Sequence, residues 1–122
     1  MSKKILIVED DSFLQGLASR KLTKEGFEVV IASDSVKAFE VLEKGNPDII
    51  LLDLLLPKID GFEILEKIKA VDKTKNIPVV VFSNLSEDKD IKRAKDLGAL
   101  EFMIKSNFTL DELADKIKFI LK

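Results

Sequence analysis

Acidic side chains follow two short apolar runs of this chain. The run at 5–8 leads into three consecutive acids at 9–11, and the run at 49–52 leads into Asp53. If both runs are strands of one parallel sheet, the four carboxylates meet at one sheet edge, where like charges repel unless a cation compensates them. The sequence therefore predicts a cation site at this edge.

The residue types predict which cation and which chemistry. Mg²⁺ prefers oxygen ligands and commonly takes one or two carboxylates plus a phosphate oxygen, and Asp10 and Asp53 would supply the carboxylates. An aspartate can also accept a phosphoryl group as an acyl phosphate, which makes Asp53 a candidate acceptor. Ser83 and Lys105 end two further apolar runs and would contact the remaining phosphoryl oxygens. We therefore predict a Mg²⁺-dependent phosphoryl-acceptor site.

Composition excludes several other classes of function. The 122 residues contain no cysteine and no histidine, which removes thiol and imidazole chemistry and soft-metal sites. The formal net charge is −2 with no basic stripe, so nucleic-acid binding is not expected. A membrane-length apolar stretch and a signal-peptide core are both missing from the sequence, and we expect a cytoplasmic protein.

Apolar runs alternate with amphipathic stretches along the whole chain. This periodicity predicts a (βα)5 unit, an α/β fold with a doubly wound, flavodoxin-like parallel sheet of order 2-1-3-4-5. In that order the ligand cleft opens between strands 1 and 3, whose ends carry the acids. The predicted strands lie near 4–8, 27–31, 48–52, 78–82 and 100–104.

Helix ends carry recognisable signals. Capping boxes, or close relatives, are predicted at three helix starts, and glycines are predicted to follow three helix ends. We interpret Asp11 as complementing the dipole of the first helix, in preference to binding metal. The capping pairs are Ser12 with Gln15, Asp60 with Glu63, and Thr109 with Glu112; the glycines are Gly26, Gly45 and Gly98.

These residues and their order resemble the receiver domain of two-component response regulators, over essentially the entire chain. In that resemblance Glu9 and Asp10 fall on the acid pair that binds Mg²⁺, and Asp53 is the phosphorylated residue and a metal ligand. It also implies that the backbone carbonyl of Leu55 is a metal ligand. Ser83 and Phe102 match the two switch positions, and Lys105 matches the lysine.

The resemblance implies partners and a mode of action. A histidine kinase or another phosphodonor would phosphorylate Asp53, and the face formed by helix 4, strand 5 and helix 5 would rearrange to bind an unidentified downstream protein or a second copy. We expect one receiver domain over 1–122, without an output domain, of the stand-alone chemotaxis-regulator-like type. Such a protein acts by binding, and its chemistry is limited to its own phosphorylation and dephosphorylation.

Two positions depart from the family pattern. Asn84 stands where a small residue usually follows the hydroxyl, and Ser106 stands where proline usually follows the lysine. Because a cis bond before a non-proline residue costs roughly 2.5–4 kcal/mol, we expect a trans bond and a rerouted loop after Lys105. The reach of Lys105 into the pocket depends on this loop.

Three alternative functions remain open from the sequence. A degenerate receiver could serve as a constitutive interaction module, for which Asn84 and Ser106 are the hints. A flavodoxin-like cofactor binder is disfavoured because the acids at 9–11 would repel a phosphate. A phosphohydrolase is disfavoured because Leu55 stands where a second acid would be expected.

Two further features concern partner binding. The predicted helix 4, near 87–97, has few large apolar residues and should be the most loosely packed helix. Phe119 lies opposite the apolar stripe of the last helix and is a candidate partner contact.

Overall fold

A computed structural model describes residues 2–57 and 59–122 of the chain. It contains one five-stranded parallel sheet of order β2-β1-β3-β4-β5, which confirms the predicted fold class. The strands are β1 (Lys4–Val8), β2 (Glu28–Ala32), β3 (Ile49–Leu52), β4 (Val79–Ser83) and β5 (Glu101–Ile104). The helices are α1 (Ser12–Lys24), α2 (Ser35–Lys44), α3 (Gly61–Ala70), α4 (Asp88–Asp96) and α5 (Leu110–Ile120), with a 3-10 helix at Lys105–Asn107. Observed strand limits differ from the predicted ones by a residue at most.

Helices cover both faces of the sheet. One apolar cluster joins α2, α3 and α4 to the sheet, and the other joins α1 and α5 to it. Because both faces are covered, the inner strands are almost wholly apolar, and every residue of β3 and β4 is buried. The double layer fixes the strands that carry the candidate site residues at their carboxyl ends.

The start of α1 differs from the prediction. Asp11, and not Ser12, is the N-cap, and its side chain accepts hydrogen bonds from the amides of Phe13 and Leu14. The predicted capping box at Ser12 is therefore wrong, because Gln15 turns away to bond the backbone of Glu9. The predicted position of Asp11 at the helix dipole is confirmed.

The other helix starts follow the prediction. Asp60 accepts a hydrogen bond from the amide of Glu63, and Thr109 with Glu112 forms a reciprocal capping box. Two of the three glycines have the left-handed backbone expected after a helix, Gly26 at φ 99° and Gly98 at φ 110°. Gly45 caps α2 with an extended backbone instead.

The segment after Lys105 is a single turn of 3-10 helix. The Lys105–Ser106 peptide bond is trans, as predicted for this sequence. The turn leaves the ammonium of Lys105 inside the pocket, so the expected rerouting does not remove it from the acids.

Candidate phosphoryl-acceptor site

The carboxyl ends of β1 and β3 bring three acids together. Glu9, Asp10 and Asp53 each offer a carboxylate oxygen, and these oxygens lie within 4.8 Å of one another. Adjacent strands in register cause this meeting, because Val8 pairs with Leu52 and the acids follow directly. Asp53 is anchored further by its amide, which donates to the carbonyl of Val8 at 3.0 Å.

Asp53 lies at the centre of the cluster, with 5% of its surface exposed. Its Oδ1 accepts from the hydroxyl of Ser83 at 2.8 Å and from the amide of Leu55 at 3.0 Å. Its Oδ2 accepts from the ammonium of Lys105 at 2.9 Å. Every group that the sequence predicted around this carboxylate, from β4 and from the end of β5, therefore contacts it.

Lys105 joins two acids from different strands. Its Nζ also donates to Glu9 Oε1 at 2.6 Å. Burial acts to lower the pKa of Lys105, but the hydrogen bonds to Glu9 and Asp53 outweigh burial, so this pKa lies above its usual range. The lysine therefore stays charged and neutralises part of the acidic cluster.

Glu9 is buried, and Asp10 is exposed. Burial raises the pKa of Glu9, although the hydrogen bond from Lys105 acts in the opposite direction. The amide of Asp11 also donates to Glu9 Oε2 at 3.1 Å. Asp10, in contact with solvent, is the acid that an incoming cation reaches without displacing protein groups.

The donor set fits Mg²⁺. Three carboxylates whose oxygens lie close together supply hard oxygen ligands, and the exposure of Asp10 leaves one side of the cluster in contact with solvent, as suits an ion that keeps several waters. The predicted carbonyl of Leu55 belongs to the same loop, although the contact seen there is made by its amide. The metal role of that carbonyl stays a prediction.

Gly61 allows the loop after Asp53 to fold closely over β3. A Cβ atom at this position would lie 2.3 Å from Leu54 Cα and 2.7 Å from the carbonyl oxygen of Asp53. The Gly61 amide donates to the Leu54 carbonyl at 3.0 Å. The start of α3 can therefore lie this close to the loop after Asp53 only because residue 61 has no side chain.

Gln15 is a site neighbour that the sequence did not reveal. Its side-chain amide donates to the backbone carbonyl of Glu9 and to the hydroxyl of Ser33 at 3.1 Å. It thus ties the acidic loop to the loop after β2. Its place in a capping-box pattern concealed this contact, because only the packing of α1 on the sheet shows where the amide points.

The predicted switch residues occupy distinct environments. Ser83 is fully buried, and its hydroxyl also accepts weakly from the amide of Leu85 at 3.4 Å. Phe102 is half-buried on β5 and packs against the core beneath α4. Asn84, which departs from the family pattern, is exposed and leaves the Ser83 contact to Asp53 intact.

Comparison with known proteins identifies the family. The sequence matches the response regulator receiver domain over residues 5–118, and the chain belongs to that family. Sporulation initiation phosphotransferase F of Bacillus subtilis is 36% identical over 118 residues, which cover 97% of this chain and 93% of the relative.

Solved structures that resemble this one also belong to response regulators. The CheY-like receiver domain protein of Methanospirillum hungatei has a TM-score of 0.91 at 26% identity, with 99% and 94% of the two chains covered. The phosphorylated cyanobacterial phytochrome response regulator RcpA has a TM-score of 0.83 at 36% identity, with 98% and 91% covered. Against transcriptional regulators such as RpaA of Synechocystis, the chain spans about half of the relative's length, 49% in that case.

The family defines the general chemistry of the site. Receiver domains are phosphoacceptors that interact with histidine kinases or phosphotransfer proteins, and they bind Mg²⁺ at an acidic pocket. Within the described residues, none of the helices has the length and apolar character needed to cross a bilayer.

Proposed function

We propose that this protein is a response regulator switched by phosphorylation of Asp53 in a two-component phosphorelay. The observation that carries the proposal is the pair of contacts on Asp53, from Ser83 to one carboxylate oxygen and from Lys105 to the other. An ordinary loop aspartate would face solvent, whereas this one is buried among groups that bind phosphoryl oxygens.

In the proposed reaction a carboxylate oxygen of Asp53 attacks the phosphorus of a phosphohistidine or a small acyl phosphate. The new bond joins that oxygen to phosphorus, while the bond from phosphorus to the donor breaks and its electron pair leaves with the donor. Lys105 and Ser83 exchange their contacts with Asp53 for contacts with the transferred oxygens. Hydrolysis of the acyl phosphate returns the free aspartate.

Glu9, Asp10 and Asp53 would hold the metal ion in this reaction. Bound Mg²⁺ supplies positive charge that compensates the incoming phosphoryl group and the acids around it. Lys105 alone neutralises one of the three negative charges, so this chain's own cation is insufficient for the additional charge of a phosphoryl group. The proposal therefore includes an obligatory divalent ion.

The conformational change would pass from Ser83, at the end of β4, to α4 and β5. The Ser83 hydroxyl must move when it transfers its hydrogen bond from Asp53 to a phosphoryl oxygen, and α4 begins a few residues further along the chain. Of the residues of α4, Ala94 is the buried one, and the N-cap Glu87 makes no side-chain cap hydrogen bond. This weakly anchored helix, with β5 and α5, is the proposed output face.

Phe119 is the proposed partner contact on that face. It lies on α5 with 73% of its surface exposed. Phe119→Ala should weaken binding to the downstream protein, or formation of a phosphorylation-dependent dimer, whereas Phe13→Ala, which removes a 64% exposed aromatic from α1, should not. Equal effects of the two variants in a sedimentation or pull-down assay would contradict this assignment.

Intact-protein mass spectrometry after incubation with acetyl phosphate tests the chemistry. We expect one added phosphoryl group that requires Mg²⁺, that is absent from Asp53→Asn, and that persists in Asp96→Asn, a change on the exposed surface of α4. An adduct independent of Mg²⁺, or one retained in Asp53→Asn, would contradict the proposal. The degenerate-receiver alternative is not favoured, because Ser83 and Lys105 both contact Asp53 beside the acids Glu9 and Asp10. The single-domain arrangement and the cytoplasmic location remain predictions from the sequence.

A further inference from the structure

A groove of about 440 Å³ lies between the C-terminal halves of α2 and α3. Both helices run back from the carboxyl ends of the strands, so their last turns lie at the opposite end of the sheet from Asp53. The volume falls within the range of about 300–1,000 Å³ that is usual for small-molecule sites. This groove is therefore separate from the phosphoryl-acceptor site.

The groove has an apolar lining. Four of its eight lining residues are apolar residues of the two helices and their ends, of which Val71 is 51% exposed and Leu42 is buried. Exposed apolar surface inside a concave site is stabilised when an apolar ligand removes it from water. The four residues are Phe39, Leu42, Ala70 and Val71.

Hydrogen bonds from the loop after α3 to α2 and to the loop after α2 hold the groove in shape. The side-chain amide of Asn46 donates to the carbonyl of Lys73 at 2.8 Å, and the ammonium of Lys73 donates to the carbonyl of Glu43 at 2.9 Å. The buried hydroxyl of Thr74 fixes the end of α3 by donating to the carbonyl of Ile68 at 2.6 Å. A site that is already formed loses little free energy to ordering when a ligand binds.

The charged groups along the groove favour an anion. Lys67 and Lys73 line it together with one acid, Glu43, so positive charge is in excess. The ammonium of Lys67 lies 5.9 Å from the centre of the Phe39 ring. Among the described residues, neither lysine has a carboxylate within ion-pair distance, so each can still contact a ligand's negative charge.

We propose that this groove binds a small amphiphile that carries one carboxylate on an apolar body, such as a short fatty acid or an aryl carboxylate. The apolar body would occupy the surface between Phe39 and Val71, and the carboxylate would contact Lys67 and Lys73. A protein partner is less suitable, because a stable protein interface buries about 800 Å² on each side, whereas eight residues line this groove.

The test is an NMR titration of the ¹⁵N-labelled protein with decanoate, below the concentration at which decanoate forms micelles. Saturable shifts should appear in residues of α2 and α3 around the groove. Lys67→Gln and Lys73→Gln should each weaken binding by roughly two- to fivefold, and Glu43→Gln should strengthen it by a similar factor. Lys95→Gln, on the exposed surface of α4, is the matched control and should change nothing.

Two further probes separate a real site from surface adsorption. Decanol has the same chain without the charge and should bind more weakly than decanoate. Ala70→Trp fills the groove without altering its charges and should abolish the shifts. Absent shifts, shifts centred elsewhere, equal binding of decanol, or binding that survives Ala70→Trp would each overturn the proposal. None of these results depends on the phosphorylation of Asp53.

Discussion

The ammonium of Lys105 contacts Asp53 Oδ2 at 2.9 Å, although 52 positions separate the two residues in the chain. The same ammonium contacts Glu9, so the lysine occupies part of the negative field that a metal ion would enter. A metal ion bound at these acids would therefore compete with the lysine for their negative charge. The competition gives Lys105 two opposing effects that can be measured apart.

Removing this lysine should tighten metal binding while impairing phosphoryl transfer. We expect Lys105→Met to raise Mg²⁺ affinity roughly fivefold, which corresponds to about 1 kcal/mol of electrostatic energy. We expect the same variant to be phosphorylated more slowly by acetyl phosphate. Lys105→Arg keeps the charge and should leave Mg²⁺ affinity nearly unchanged. Calorimetric titration measures the affinity, since the chain has no Trp or Tyr as a fluorescent reporter. Weaker Mg²⁺ binding by Lys105→Met would contradict the competition.

Asp11 and Ser12 form a matched pair for the cap of α1. Asp11→Ala removes a side chain that accepts from two helix amides, and it should lower the free energy of unfolding by about 0.5–2 kcal/mol. Ser12→Ala should change it by less than about 0.5 kcal/mol. Urea unfolding followed by circular dichroism compares the two. A larger loss of unfolding free energy in Ser12→Ala than in Asp11→Ala would show that Ser12 is the N-cap, as predicted from the sequence.

Gly61 and Gly16 should respond to alanine in opposite directions. At Gly61 the new methyl group would overlap Leu54 and the Asp53 carbonyl, and we expect a loss of about 1–3 kcal/mol in stability together with slower phosphorylation. At Gly16, within α1, a Cβ atom meets nothing within 4 Å, and alanine should stabilise by about 0.5–1 kcal/mol. Thermal unfolding of both variants is the measurement; a stable, active Gly61→Ala would refute the close approach.

Ion pairs between α1 and α5 should make stability depend on pH in acid. Hydrogen bonding to Lys118 lowers the pKa of Glu25 below its ordinary value of 4.5, and hydrogen bonding to Lys21 lowers the pKa of Asp111 below 3.8. Because both folded pKa values are lowered, the stabilisation is complete above the ordinary values and is lost as pH falls through the folded ones.

Lys118→Met tests this dependence. It should flatten the fall of unfolding free energy with pH below about pH 4.5, the ordinary pKa of Glu25. Lys24→Met, at the exposed end of α1, removes the same charge without breaking either pair and should keep the steeper fall. Salt should reduce the difference between the variants, because each of these pairs is at least partly in contact with solvent. Identical pH profiles for the two variants would exclude the ion-pair explanation.

Arg93 should contribute much of the anchoring of α4. Its guanidinium lies 4.2 Å from the centre of the Phe62 ring, in a helix whose buried residue is Ala94. Arg93→Ala should speed amide hydrogen exchange in α4 by roughly two- to fivefold, the ratio for about 0.5–1 kcal/mol of cation–π energy. Lys95→Ala leaves this ring contact in place and serves as the control. Unchanged exchange in Arg93→Ala would mean that α4 is held elsewhere.

The sequence predicted the fold and the meeting of the site residues because both depend on regular periodicity. Runs of apolar residues mark strands that are covered on both faces, and parallel strands bring Asp53, Ser83 and Lys105 to one edge whatever the details of packing. The contacts of Ser83 and Lys105 with Asp53 agree with that expectation. Their catalytic roles stay predictions until phosphorylation is measured.

Other features depend on packing that the sequence does not show. Asp11 and Ser12 are both good cap residues, and the choice between them follows from the path of the chain as it leaves β1. Gln15 reaches Ser33, 18 positions away, only because α1 lies beside the loop after β2. The groove between α2 and α3 likewise exists because Lys73 and Asn46 join two loops that no local pattern connects.

The contact of Lys105 with Glu9 spans 96 positions, from the end of β1 to the end of β5. A contact between residues so distant in the chain carries a large entropic cost of chain closure, and it requires both ends of the chain to be present. During synthesis, Asp53 emerges from the ribosome long before its lysine does. A nascent chain that has not yet reached Lys105 carries the acids without this cation. If Lys105 is needed for phosphoryl transfer, as proposed, phosphorylation would occur only after β5 has joined β1, β3 and β4.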